Sequence, residues 1–211
     1  MTDTARIALG VLDQCPVPAG STAEEALATS LALASAAEGL GYRRYWVAEH
    51  HNTASLASAS PEVVVAAAAA RTTRIRVGAG GVLLSHYSPL KVAETFRLLH
   101  ALHPGRIDLG VGRAAGTDPV AEGALQYRPG ALGDEHFAEK VWDLLGFLDG
   151  DLDPDHPYAG VRAVPRGPGG PEVWLLGSSA QGASTAAYLG RPSALRTSSP
   201  PNSAPRSCAP T

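Results

Sequence analysis

The chain has 211 residues, 45% of them hydrophobic and 18% charged, with a formal net charge of −3. This is the composition of a folded globular protein with one ordinary core. Its weak charge offers no footprint for nucleic acid or an anionic membrane. No apolar run reaches the length of a membrane span, and Met1-Thr2-Asp3-Thr4-Ala5-Arg6 leads into a strand-like run without a secretory apolar region. Cys15 and Cys208 lie at opposite ends, which argues against a disulfide framework and for a reducing cytoplasm.

Ile7 to Leu12 is a short apolar run that reads as a buried strand, broken by Asp13-Gln14-Cys15-Pro16-Val17-Pro18. Ser21-Thr22-Ala23-Glu24 has the form of a capping box. A helix should follow to about Leu40, with Leu27, Leu31, Ala34, Leu33, Ala37 and Leu40 on its apolar stripe. Arg43 to Val47 alternates like a strand and runs into Glu49, His50, His51 and Asn52. Ser60-Pro61-Glu62 starts a second helix, since Ser caps, Pro suits the first helical position and Glu suits the positive end. Ile75 to Leu84 is the third strand, with glycines at its centre, and Ser88-Pro89-Leu90 repeats the helix start. Arg106 to Gly112 is the fourth strand. Arg113 to Gly133 has no clear period and reads as a long loop. Val141, Leu144, Leu145 and Leu148 mark another helix, and Asp149 to Pro171 a second long connection. Glu172 to Leu176 is the fifth strand, and Gly177-Ser178-Ser179 leads into a helix from about Ala180 to Leu189.

The order is strand then helix throughout, with starts about 30 to 36 residues apart, the size of a βαβ unit. Near-continuous apolar strands in such units argue for an α/β fold with a parallel sheet covered by helices. No G-x-G-x-x-G follows the first strand, which disfavours a dinucleotide-binding sheet relative to a (β/α)8 barrel. In a barrel, functional residues collect at strand C-terminal ends. Asp13-Gln14, Glu49-His50-His51, Ser85-His86-Tyr87, Arg113 and Ser178-Ser179 all fall there. A barrel typically needs about 250 residues and eight strands, and only five strand candidates are present. Residues 1–190 therefore read as a partial barrel. Residues 191–211, rich in Pro, Ser, Arg, Ala and Thr, read as a disordered tail. An end or reading frame altered near Arg191 would account for both.

Four polar side chains in a row at a strand end are costly to hide, so Glu49 to Asn52 belong at a mouth or cleft. The run lacks the spacing of a helical zinc motif, and neighbours in a strand point to opposite sides. It reads either as polar caps on a strand end or as a site where one histidine meets a ligand while Glu49 or Asn52 orients the loop. Gly80-Gly81 within a strand is a bulge, or a place where a flat ring lies against main chain. Arg113, with Gly177, Ser178 and Ser179 before a helix N-terminus, can bind a phosphate, although Ser is also a common cap. His86-Tyr87 lines either a substrate side or a surface loop. His100, His103, His136 and His156 read as surface or helix-packing residues. A phosphate clamp, a glycine platform and a histidine suit a phosphorylated flat cofactor such as FMN.

These blocks resemble the bacterial luciferase-like, flavin-dependent monooxygenase family. The resemblance is carried by Leu12-Asp13-Gln14 with Pro16 and Pro18, by Gly41 to Asn52 with its Tyr-Trp-Val-Ala-Glu-His-His-Asn signature, and by Val77 to Val82. Tyr87 to Glu94, Pro104 to Gly110 through Arg113, and Val173 to Ser179 extend it over most of residues 7–190. It implies a (β/α)8 barrel binding reduced FMN at the strand C-terminal ends. It places His50 near the flavin as the residue assisting oxygen chemistry, and Gly80-Gly81 at a non-prolyl cis peptide beneath the ring. Arg113, Ser178 and Ser179 match phosphate contacts. The flavin-side cysteine of luciferase aligns with Gly112, so no light emission is implied. The loop from Ala114 to Asp118 and the stretch to Glu139 diverge, and the likeness stops near Gly190. The implied activity is oxidation of a small organic substrate by reduced FMN and O2, with a partner reductase supplying reduced flavin and a homodimer as the usual assembly. The other readings are an F420-dependent oxidoreductase on the same barrel, or a shortened remnant that binds flavin weakly.

Overall fold

Side chains alternate between two very different environments along each strand of this protein. In a computed structural model describing residues 7–114, 116–126, 136–177 and 186–195, six parallel strands pair in sequence order. They are β1 Gly10–Asp13, β2 Arg44–Val47, β3 Arg76–Leu83, β4 Ile107–Gly112, β5 Glu172–Gly177 and β6 Ser193–Leu195. The connecting helices are α1 Ala23–Gly39, α2 Pro61–Arg71, α3 Pro89–Leu102, α4 Pro119–Gln126 and α5 Phe137–Asp149. One face of the sheet carries Tyr45, Val47, Val77, Ala79, Leu109, Val111, Val173 and Leu175, all buried against the helices. This is the main core, and period-2 alternation puts it on one side.

The other face is lined by Arg44, Trp46, Arg76, Asp108, Glu172 and Trp174, placed by the registers Arg44↔Arg76, Trp46↔Gly78, Gly78↔Asp108 and Gly110↔Trp174. Side chains from β2 and β5 meet here although two strands separate them. Trp46 packs edge-on to Trp174 with centroids 5.3 Å apart, and the Arg44 guanidinium reaches Glu172 at 3.0 Å. The sheet must therefore curl toward this face, as in a barrel. Glycines permit the curl. A Cβ on Gly78 would collide with the Asp108 backbone, and one on Gly110 would lie 2.9 Å from the Leu176 side chain.

A partly buried ionic cluster centred on Asp108 holds the lower interior. Asp108 is fully buried. It accepts from Arg44 Nη1 at 2.6 Å, Arg76 Nε at 2.7 Å and Trp46 Nε1 at 2.8 Å. Two arginines face Asp108 and Glu172, so charge balances within the cluster. The strand pattern alone did not reveal it.

Several expectations shift. The capping box exists, one residue later than Ser21-Glu24. Thr22 accepts from the Glu25 N–H at 3.3 Å, and Glu25 accepts from the Thr22 N–H at 3.0 Å. The buried stripe of α1 is Ala26, Ser30, Ala34 and Ala37, while Leu33 and Leu40 are exposed. Small residues let the helix sit close to its neighbours. Pro61 and Pro89 do start helices, but neither Ser60 nor Ser88 makes a side-chain cap bond. The stretch read as a loop after Arg113 contains α4, which buries no residue. A sixth strand adds to the five expected: Ser193–Leu195 pairs with Leu175–Gly177 inside the stretch read as a tail. Residues 196–211 lie outside the described residues. No helix among the described residues is long and apolar enough to cross a membrane.

Candidate active site

The chain leaves β2 at Ala48, whose N–H donates to the Asp13 carbonyl at 2.9 Å. Glu49 follows, only 3% exposed. Its Oε2 accepts from the Leu83 N–H at 3.0 Å; its Oε1 accepts from the Tyr87 hydroxyl at 2.7 Å and lies 2.8 Å from His51 Nε2. One carboxylate thus ties the end of β2 to the end of β3 and to the residue after the short turn Leu84–His86. Burial, then the hydrogen bond and charge of Glu49, push the Tyr87 phenol well above its ordinary pKa, so it stays a donor. His86 packs its ring edge-on to both His51 and Tyr87, each at 6.3 Å. Under this turn, Lys140 of α5 donates to the carbonyls of Leu84, Ser85 and Tyr87 at 3.2, 2.8 and 3.3 Å. Burial lowers the Lys140 pKa.

His50 is set differently. Its N–H donates to the Ser58 carbonyl at 3.0 Å, but its imidazole Nδ1 is buried with no hydrogen-bond partner among the described residues. An unmade bond at a buried polar atom costs about 1–3 kcal/mol, and Ser58 Oγ, His100 Nδ1 and Trp174 Nε1 are also buried without a hydrogen-bond partner among the described residues. The two histidines therefore divide roles: His51 is engaged by Glu49, and His50 keeps a free nitrogen.

The loop after β4 is laid across this corner. Asn52, at φ 51°, donates from Nδ2 to Asp118 Oδ2 at 2.7 Å. Asp118 Oδ1 accepts from the N–H groups of Val120 and Ala121 at 2.9 and 3.2 Å, so Asp118 caps α4 with Pro119 at its first position. The Asn52 bond, then the amide bonds, hold the Asp118 carboxyl below its ordinary pKa. Thr117 donates to the His51 carbonyl at 3.1 Å. Gly116, at φ 62°, packs where a Cβ would strike the Leu83 side chain.

The remaining expected residues gather at the same end of the sheet. The Gly80–Gly81 peptide is cis, as the resemblance implies. The glycines also have a packing reason: a Cβ on Gly80 would lie 2.8 Å from Leu12 and 3.0 Å from Trp46, and one on Gly81 2.6 Å from Leu176 and 2.7 Å from the Gly110 carbonyl. The register slips between Gly80 and Val82, so the bulge is real too. Gly112 ends β4 with open space around it. Arg113 follows with an exposed side chain, its carbonyl accepting from the Ser85 hydroxyl at 3.4 Å. Gly177 ends β5. Ser178 and Ser179 lie outside the described residues. Asp13, expected at the mouth, points instead into the helix layer. It is buried, accepting from the Tyr45 hydroxyl at 2.6 Å and the Cys15 N–H at 2.8 Å. Sequence reasoning also missed Lys140, whose signal was a lysine beside Val141 on the buried face of α5.

Parallel strands in sequence order, joined by helices and curled toward one face, with polar groups collected at their C-terminal ends, define part of an α/β barrel. The chain belongs to the luciferase-like monooxygenase family, whose pattern it matches over residues 7–207. The match thus continues past Gly190, where the resemblance had been expected to stop. The chain is 49% identical over 184 residues to YwcH of Bacillus subtilis, covering 87% of this chain and 55% of that one. It is 45% identical over 186 residues to the N-acetyl-S-alkylcysteine monooxygenase of the same organism, with coverage of 87% and 55%. It is 47% identical over 196 residues to a luciferase-like monooxygenase of Escherichia coli K12, with coverage of 92% and 56%. The chain thus spans about half the length of the curated relatives it matches. Among solved structures, apo-MsnO8 superposes with TM-score 0.81 at 46% identity, covering 89% of this chain and 55% of that one. The fold is shared with the oxygenating constituent of the Pseudomonas putida 3,6-diketocamphane monooxygenase in complex with FMN, at TM-score 0.68, 20% identity, and coverage of 89% and 56%. It is shared too with an F420-dependent secondary alcohol dehydrogenase, at TM-score 0.59, 18% identity, and coverage of 84% and 54%.

Proposed function

We propose that this chain carries the flavin-side corner of a monooxygenase that uses reduced FMN and O2 to oxidise a small organic substrate. The observation that carries the reading is the buried, unbonded Nδ1 of His50 at the strand-end rim that also holds Gly80, Gly81 and Arg113. These residues fit the cofactor. The glycines add no side chain of their own where Leu12, Trp46 and Leu176 already close in, Arg113 offers an exposed guanidinium for the phosphate, and Gly177 a strand end beside it. Ser178 and Ser179, next in sequence, are proposed to join that phosphate site. Bound reduced FMN supplies the electrons and the reaction with O2.

The chain's own groups supply position and protons. His50 Nδ1 holds or moves a proton at the ring edge. Glu49 engages His51 and Tyr87, which leaves His50 Nδ1 to address the ligand. The α4 loop is tied to this corner through Asn52 and Asp118. A cytoplasmic reductase would deliver the reduced flavin, and a homodimer is the expected assembly. The reading is tested by stopped-flow oxidation of reduced FMN at saturating protein. His50→Ala should slow or misdirect the reaction by about 10²-fold, the usual scale of lost acid–base assistance. Unchanged kinetics would remove His50 from the mechanism. A parallel titration with F420 separates FMN from the deazaflavin alternative.

A further inference from the structure

A second concavity lies at the opposite end of the sheet from His50. Its volume is about 640 Å3, within the usual range of small-molecule sites. It opens between the C-terminal end of α5, the connection leading to β5, and the start of β5 and β6. Its apolar floor includes Phe147, Leu148 and Val173, all buried. Four arginines but one aspartate, Asp149, are among the described residues that line it, in a chain whose formal net charge is −3.

The arginines do different things. Arg97 builds the wall: it donates to the carbonyls of Leu148, Pro165 and Gly167 at 2.7, 2.9 and 3.2 Å, joining α3, α5 and the connection. Arg191 pairs with Asp149 at 2.6 Å. Both also complement the negative end of α5. Arg162 spends only Nη1, on the carbonyls of Ala159 and Val161. Arg166 has no hydrogen-bond or ion-pair partner among the described residues, and both of these side chains are exposed. Fold contacts therefore leave the Arg166 guanidinium and the Nε and Nη2 of Arg162 uncommitted among the described residues. Guanidinium forks beside an apolar floor and a rigid wall suit one ligand chemistry, a carboxylate or phosphate oxyanion attached to an apolar body.

We propose that this cavity is a binding site for a small amphipathic organic oxyanion, its charge held by Arg162 and Arg166 and its apolar part on Phe147, Leu148 and Val173. It is separate from the flavin corner and does not rest on that reading. The test is isothermal titration of the 211-residue chain with phenyl phosphate, benzoate and neutral benzyl alcohol at about 0.1 M ionic strength, where distant charges are screened. At least one anion should bind, benzyl alcohol far more weakly. The Arg162→Ala/Arg166→Ala variant should lose about tenfold or more in affinity. Arg162→Lys/Arg166→Lys should recover part of it, because charge returns without the fork. Arg113→Ala should leave the anion affinity carried by Arg162 and Arg166 unchanged. No measurable binding of either anion, equal binding of the alcohol, or unchanged affinity in the double alanine variant would overturn the proposal. So would loss of binding in Arg113→Ala alone, which would move the anion to the strand C-terminal end. A natively folded circular dichroism spectrum is required of each variant, and both pairs sit on exposed side chains.

Discussion

Replacing Glu49 tests how the site corner is held. Three donors converge on its carboxylate: the Leu83 N–H at 3.0 Å, the Tyr87 hydroxyl at 2.7 Å and His51 Nε2 at 2.8 Å. In Glu49→Ala, the Leu83 N–H is left buried and unpaired, at a cost of about 1–3 kcal/mol. Tyr87 and His51 fare better, because they already lie 3.5 Å apart and can turn to each other. Adding the lost bonds to an ionised acceptor, the total is about 2–4 kcal/mol. Glu49→Gln is different. Its amide oxygen can accept from Leu83 while its NH2 faces Tyr87 and His51, provided the phenol and imidazole become acceptors there. The cost should fall to about 1–2 kcal/mol, but the proton arrangement around His51 and Tyr87 reverses. Urea unfolding of the three proteins, with m-values compared, measures both. An alanine variant within about 0.5 kcal/mol of the parent, or a glutamine variant less stable than alanine, would refute this reasoning.

Two further perturbations address the frame. Asp108→Asn removes the carboxylate that two arginines and Trp46 share in the barrel interior. The uncompensated guanidiniums should cost about 3–5 kcal/mol in urea unfolding, and a change under about 1 kcal/mol would mean that Glu172 alone suffices. Glu38 gives a pH signature. Its carboxylate accepts from the N–H groups of Ile75, Arg74 and Thr73 at 3.0, 2.6 and 2.9 Å. These bonds, that of Ile75 first, lower its pKa from 4.5 to about 2. A depressed folded pKa contributes stability that is present above pH 4.5 and is lost as pH falls toward 2. Solvent screening at this part-exposed site reduces the effect to about 1–2 kcal/mol. Glu38→Gln should flatten that part of the stability–pH curve, and a variant with the parent's acid slope would contradict the assignment.

Most of the frame is written in local pattern. Continuous apolar runs marked β3, β4 and β5, and Val141, Leu144, Leu145 and Leu148 marked the buried face of α5 as observed. What failed to show was parity and pairing. Asp13 ends β1 in register with Val47 and turns with it into the helix layer, whereas Glu49 lies two residues beyond β2, where the backbone has left the pleat and period-2 parity no longer sets its direction. The helix α4 did carry a signal, Asp118-Pro119, but it buries no face and so has no apolar period. The three residues of β6 are too few for any period. The stripe of α1 was legible in part: Ala34 and Ala37 are buried and Leu27 and Leu31 pack against the core, whereas Leu33 and Leu40 are exposed and close packing adds Ala26 and Ser30. The cluster of Arg44, Arg76, Asp108 and Glu172 joins strands far apart in sequence, and only the curl of the sheet brings them together.

In the proposed function, His50, Gly80, Gly81 and Arg113 form one flavin-binding rim. Anaerobic titration of the chain with reduced FMN, followed by flavin absorbance, measures it directly. Binding should be saturable and one-to-one, and should weaken about tenfold or more in Arg113→Ala, through loss of a charge-assisted phosphate contact. Binding that is absent, or that is indifferent to Arg113 and tighter for F420, would contradict it.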